Sequence, residues 1–195
     1  MTPAHSIATS NKISPEFTPF LACWQALPRS RHPFLPARSD CTPARLGPFL
    51  PNIGIGLHQG PGKMEVLYYG SVLEQVSGLK VTGMNYYDLL PEVFRSPLMK
   101  FHHLLFSTPC GAYIADFVKT EAGNQYLYES LQFPLTDDKG TPTYLLLYGL
   151  GRKPFTDKTD RNIEGIGRRA IKEMHYLDIG AGAPSARIED FIFYR

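Results

Sequence analysis

The sequence predicts an α+β domain built on an antiparallel sheet, and three observations predict it. Two strand-like runs joined by a tight turn stand near residue 60, three short helical stripes follow, and three β-rich runs come after them. Helices clustered between groups of strands, rather than alternating with single strands, argue against a doubly wound parallel sheet. Hydrophobic residues at 43% and aromatics at 12% of 195 residues suffice for a packed core and exclude a disordered chain.

Taken in order, residues 1–16 carry few apolar anchors and read as a tail. Phe20, Leu21, Trp24 and Leu27 fall at helical spacing, predicting a helix over 17–27 that Pro28 ends. The stretch 29–40, with Arg29, Arg31, Pro33, Pro36 and Arg38, reads as an extended linker. Pro43 suits the first position of a short helix reaching about residue 50. Ile53, Ile55 and Leu57 alternate with glycines, Gln59-Gly60-Pro61-Gly62 supplies a turn, and Met64, Val66 and Tyr68 share one face of the partner strand. Short helices are expected over 71–76, closed by Gly78, and over 85–90, stopped by Pro91. A third, over 96–107, presents Leu98, Phe101 and Leu105 to a core. Strands are expected over 112–120, 124–135 and 143–151, the last apolar on both parities like a central strand covered on two faces. The remainder, 154–195, reads as an extension with a basic helix over 162–174 and a last helix over 185–194.

Composition also limits function. The net charge of +2 leaves no concentrated basic face for nucleic acid. Cys23, Cys41 and Cys110 form no metal-binding or disulfide pattern and read as free thiols in a reducing cytoplasm. No apolar run has the length of a membrane span, and the N-terminus lacks a secretory signal's apolar centre. The glycines at 54–60 do not make a phosphate loop, because a strand rather than a helix follows them. No nucleophile elbow or metalloprotease motif is present, so no enzyme activity is expected.

The middle of the chain reads Leu35-Pro36-Ala37-Arg38-Ser39-Asp40, then Gly78-Leu79-Lys80-Val81-Thr82-Gly83 before Tyr87-Asp88-Leu89, and later Glu129-Ser130-Leu131-Gln132-Phe133-Pro134-Leu135. In this order and spacing the chain resembles the PAS domain family, in its bacterial stand-alone subfamily, over residues 17–153. The resemblance implies a five-stranded antiparallel sheet with short helices over one face, here with an N-terminal helical cap and a C-terminal helical extension. It also implies a sensory or regulatory module, often dimeric, with a cavity between sheet and helices. The cofactor stays unknown, because PAS domains hold very different ligands or none.

Within that frame the candidate ligand-binding residues are Tyr68, Met84, Tyr87, Phe101, Phe117, Glu129, Phe133 and Tyr148. Leu127, Glu129, Leu131 and Phe133 share one face of their strand, which puts the carboxylate in apolar surroundings if that face lines the cavity. Alternatively that face is exposed, or Arg38 pairs with Glu129. His102 and His103 lie on the helix that carries the axial histidine in haem-binding relatives, and at most one can face inward. A flavin-reactive cysteine is missing from the helical region, since Cys110 begins a strand.

The expectation is therefore a cytoplasmic, bacterial PAS-like domain that binds a small ligand or a signalling protein partner and signals by association, as a homodimer. It excludes nucleic acid and membrane as partners. Two alternatives remain: a ligand-free interaction module, and a small enzyme with Glu129 or Asp116 as a base in an apolar pocket.

Overall fold

The computed structural model describes residues 13–119, 125–152 and 169–185. Six strands form one antiparallel sheet: β1 (Ile53–His58), β2 (Met64–Tyr69), β3 (Gly111–Lys119), β4 (Gln125–Thr136), β5 (Pro142–Arg152) and β6 (Arg169–Leu177), in the spatial order β2-β1-β5-β4-β3-β6. The helices are α1 (Thr18–Ala26), α2 (Pro43–Leu46), α3 (Ser71–Ser77) and α4 (Glu92–Ser107), with 3-10 turns that include Gly47–Asn52 and Tyr86–Leu89. The α+β class and the PAS-like architecture stand. Among the described residues, no helix is long and apolar enough to cross a membrane.

One expected element changes type. The basic helix expected over 162–174 is a strand from Arg169 onward, so the sheet has six strands rather than five and the extension is not helical there. The cause is a bulge. Ala115 pairs with Glu173 while the next residue, Asp116, pairs with Ile171, so Lys172 is an extra residue in the ladder. Ile171 and Met174 thus fall on one face three residues apart, and that spacing imitates a helix. Residues 162–168 and all but Ser185 of the helix expected over 185–194 lie outside the described residues. A second bulge stands at Leu67: Gly56 pairs with Val66 but Ile55 with Tyr68. Tyr68 therefore faces away from Met64 and Val66, contrary to the simple alternation.

Two cores sit on the two faces of the sheet. On one face α1, the linker and the 47–52 turn form a cap, in which Phe17, Phe20, Trp24, Leu35 and Leu46 pack on Ile53, Leu131, Phe133, Leu135, Leu146 and Tyr148. On the other face α4 and the 86–89 turn pack Tyr87, Phe94, Leu98, Phe101 and Leu105 on Met64, Ala112, Ile114, Leu145 and Met174. The inward stripe of α4 follows the three-to-four-residue helical period, and this orients His102, one residue beyond Phe101, toward the sheet. The linker is anchored rather than merely extended. The Arg29 guanidinium donates to the carbonyls of Trp24, Gln25, Leu27 and Phe34, closing the C-terminal end of α1. Arg45 pairs with Asp40 at 3.2 Å, so these basic residues serve the fold.

Candidate functional site

β4 divides its side chains between the two cores. Leu131 pairs with Tyr113 and Tyr148, and Phe133 with Leu146, on the cap side; Ser130 pairs with Ile114 and Gln132 with Ala112 on the α4 side. Tyr128, Ser130, Gln132 and, on β3, Asp116 make a buried polar line facing α4. Apolar side chains would fill that space at lower cost unless each polar group is satisfied.

The α4 end of this line is closed by a relay. His102, 1% exposed, places Nε2 at 3.2 Å from Gln132 Oε1 and Nδ1 at 3.0 Å from Tyr87 Oη. With the amide oxygen toward the ring, Nε2–H donates to Gln132 and Nδ1 accepts from the Tyr87 hydroxyl, which describes a neutral imidazole. Burial, and then the neighbouring Tyr86, push the Tyr87 pKa well up, so its hydroxyl keeps the proton it donates. Tyr87 is held in place from below: Asn85 accepts from Met64 N–H at 3.0 Å and donates to Gly62 O at 3.1 Å, tying the turn to the hairpin. Farther along the line, the Tyr128 hydroxyl lies over Gly149, where any Cβ would overlap it. Only glycine permits that approach.

The candidate residues separate between the two faces. Tyr87 and Phe101 lie on the α4 side, while Tyr68, Glu129, Phe133 and Tyr148 lie under or beside the cap. Met84 is 47% exposed in a turn, and the Phe117 side chain lies outside the described ones. The eight therefore do not line one cavity. Glu129 is 6% exposed and accepts from the Tyr113 hydroxyl at 2.6 Å, in place of a pairing with Arg38. Asp116 and Glu129, each considered as a base, stand on opposite faces of the sheet, Asp116 toward α4 and Glu129 toward the cap.

Haem ligation does not fit the histidines. Both ring nitrogens of His102 are engaged, and His103 is exposed. Reading the sequence missed His102 with Gln132 as a polar pair. The available signal was Ser130 and Gln132 alternating with Leu131 and Phe133 in a strand buried on both sides.

Residues 14–149 match the PAS domain family. The chain belongs to the PAS domain family. The match begins at the cap, covers β1 to β4 and most of β5, and ends before β6, and it gives the chain a sensory class of domain. No curated protein matches the chain significantly. Among solved structures it is similar to VqmA of Vibrio cholerae bound to DPO, at 16% identity over 57% of each chain with a TM-score of 0.41. It is similar to the LOV protein of Rhodobacter sphaeroides, at 10% identity over 52% of this chain and 58% of that one, TM-score 0.41. A light-oxygen-voltage domain studied with a flavin analogue matches at 16% identity over 56% of this chain and 82% of that one, TM-score 0.43. The chain thus spans little more than half the length of the VqmA and Rhodobacter proteins.

Proposed function

We propose that this PAS domain is a non-catalytic regulatory module of the bacterial cytoplasm. It takes a small amphipathic ligand at the α4 side of β4 and signals by protein–protein association, as a homodimer and without nucleic acid or membrane. The observation that supports the ligand site is the buried line Tyr87–His102–Gln132–Ser130 set among the apolar side chains of the α4 core. Such groups give a ligand's polar end donors and acceptors of fixed direction while the surrounding Leu, Phe and Ile side chains hold its apolar part. Of the eight residues expected from sequence this reading keeps Tyr87 and Phe101, and it adds His102, Ser130 and Gln132.

The test is native mass spectrometry, with an absorption spectrum, on protein purified without added ligand. The expected result is a bound mass that Gln132→Leu removes while the chain stays folded. A clean unliganded mass would reject the ligand and favour the second reading, a filled interaction module. The close stacking of Trp24 on Phe133 and of Phe20 on Tyr148 favours that reading for the cap side.

A further inference from the structure

We propose that two copies of this chain associate through the outer edge of β6, which pairs antiparallel with itself about a two-fold axis at Met174. The proposal rests on the reading that the module signals by association, and it names the surface.

The two edges of the sheet differ. At the β2 edge, Val66 N–H donates to Met84 O at 2.9 Å, Gly83 N–H donates to Val66 O at 2.7 Å, and Glu65 bridges to Asn85. That edge is closed by the chain itself. At the other end β6 is the terminal strand, and among the described residues no further strand pairs with its outer side. An uncovered edge presents a row of backbone donors and acceptors that another strand can satisfy.

β6 is firmly seated, so this edge is preorganised. Met174 and Leu177 are 3% exposed, the Tyr176 ring stacks on Phe101 at 5.0 Å, and its hydroxyl donates to Phe101 O at 3.1 Å. The bulge and the exposed Lys172 interrupt the first half of the strand, a device that discourages indiscriminate pairing, and leave 173–177 regular.

Side-chain hydrogen bonding chooses the occupant and the register. Glu173 and His175 point to the same face and lie within 3.2 Å of each other in one chain. A two-fold axis at Met174 sets each Glu173 opposite His175 of the second copy, twice per interface. An axis at His175 would instead oppose two imidazoles and set Glu173 against Leu177. Self-complementarity of this kind is what an isologous contact requires.

Sedimentation over a wide range of concentration, with amide exchange on the full chain, tests the proposal. The expected result is a concentration-dependent dimer whose formation protects β6 amides. Glu173→His and His175→Glu should each raise the dimer dissociation constant about tenfold, and the double exchange should restore it. A dimer indifferent to the single exchanges, or one that leaves β6 amides unprotected, overturns this interface and leaves association standing. A folded chain that stays monomeric at every concentration overturns the homodimer together with the interface. β6 amides equally protected in the monomer would mean that the chain covers its own edge, which also overturns the proposal. The exchange measurement uses the unaltered chain, so it decides even where a variant fails to fold.

Discussion

The sheet presents two unlike faces, and β4 belongs to both. Toward the cap it offers Leu131, Phe133 and Leu135; toward α4 it offers Tyr128, Ser130 and Gln132. Each face also has one aromatic ring from β4 lying over a glycine, Phe133 over Gly111 and Tyr128 over Gly149. The cap face is held by stacked rings, with Trp24 and Phe133 at 4.3 Å and Phe20 and Tyr148 at 4.2 Å. The α4 face holds directional hydrogen bonds through His102. Ring stacking contributes stability with little demand on partner chemistry, whereas a buried polar relay contributes little net stability and is costly to interrupt. The cap side is accordingly the structural half of the domain, and the α4 side is the half suited to a change of state.

The largest effect should come from breaking the cap face. Phe133→Ala removes a fully buried ring that touches both Trp24 and Phe20, and should cost about 3–5 kcal/mol. Trp24 is the chain's one tryptophan, so denaturant unfolding followed by its fluorescence reads the cap directly. A loss below about 1 kcal/mol would show that the cap is not part of the cooperative core.

A smaller effect of different character is expected on the α4 face. His102→Leu leaves the Tyr87 hydroxyl and the Gln132 amide without their shared partner, and should cost about 2–3 kcal/mol. His102→Leu combined with Gln132→Leu should be less damaging than the sum of the two single changes, because the second removes a group that the first orphaned. Strict additivity in the thermodynamic cycle would mean that the two residues do not act together.

This contrast bears on what the sequence revealed. The chain order of strands and short helices was legible because each element carries its own punctuation. Gly78 closes α3 in the left-handed conformation at φ 72°, and Pro91 separates the 86–89 turn from α4. β5 read correctly as a central strand because Leu145 and Leu146, successive residues, serve opposite cores. What failed was facing. One extra residue at Leu67 and one at Lys172 reverse the parity of everything beyond them, and a pattern reading has no access to the partner strand that reveals the bulge. The candidate residues divide between the two faces for a related reason. With a cap on one side and α4 on the other, both faces of β4 are buried, so the apolar parity of Leu131 and Phe133 did not identify the side that carries His102.

The smallest expected effect sharpens the comparison by using acid. Under the cap linker, His32 Nδ1 accepts the N–H groups of Phe34 and Leu35, both at 3.1 Å. Burial holds the His32 pKa below its ordinary value. The unfolded chain therefore takes up a proton more readily than the folded one. The His32 contribution is fully present above the unfolded pKa of about 6.5 and is lost as pH falls through it toward the lower folded value. Protonation also turns Nδ1 into a donor, so both N–H groups lose their acceptor together. His58, stacked on Phe106 of α4 at 4.7 Å, has its pKa lowered by burial and then by the charge of His103, and has the same sign. Acid therefore acts on both faces, and the two contributions are separable by substitution. Thermal melts above and below the ordinary histidine pKa should show a smaller acid loss in His32→Leu and in His58→Leu than in the unaltered chain. Only His32→Leu should also remove the acid response of Trp24 fluorescence. If His58→Leu removes that response equally well, then the two faces open together on protonation, and the division of labour between them does not extend to pH.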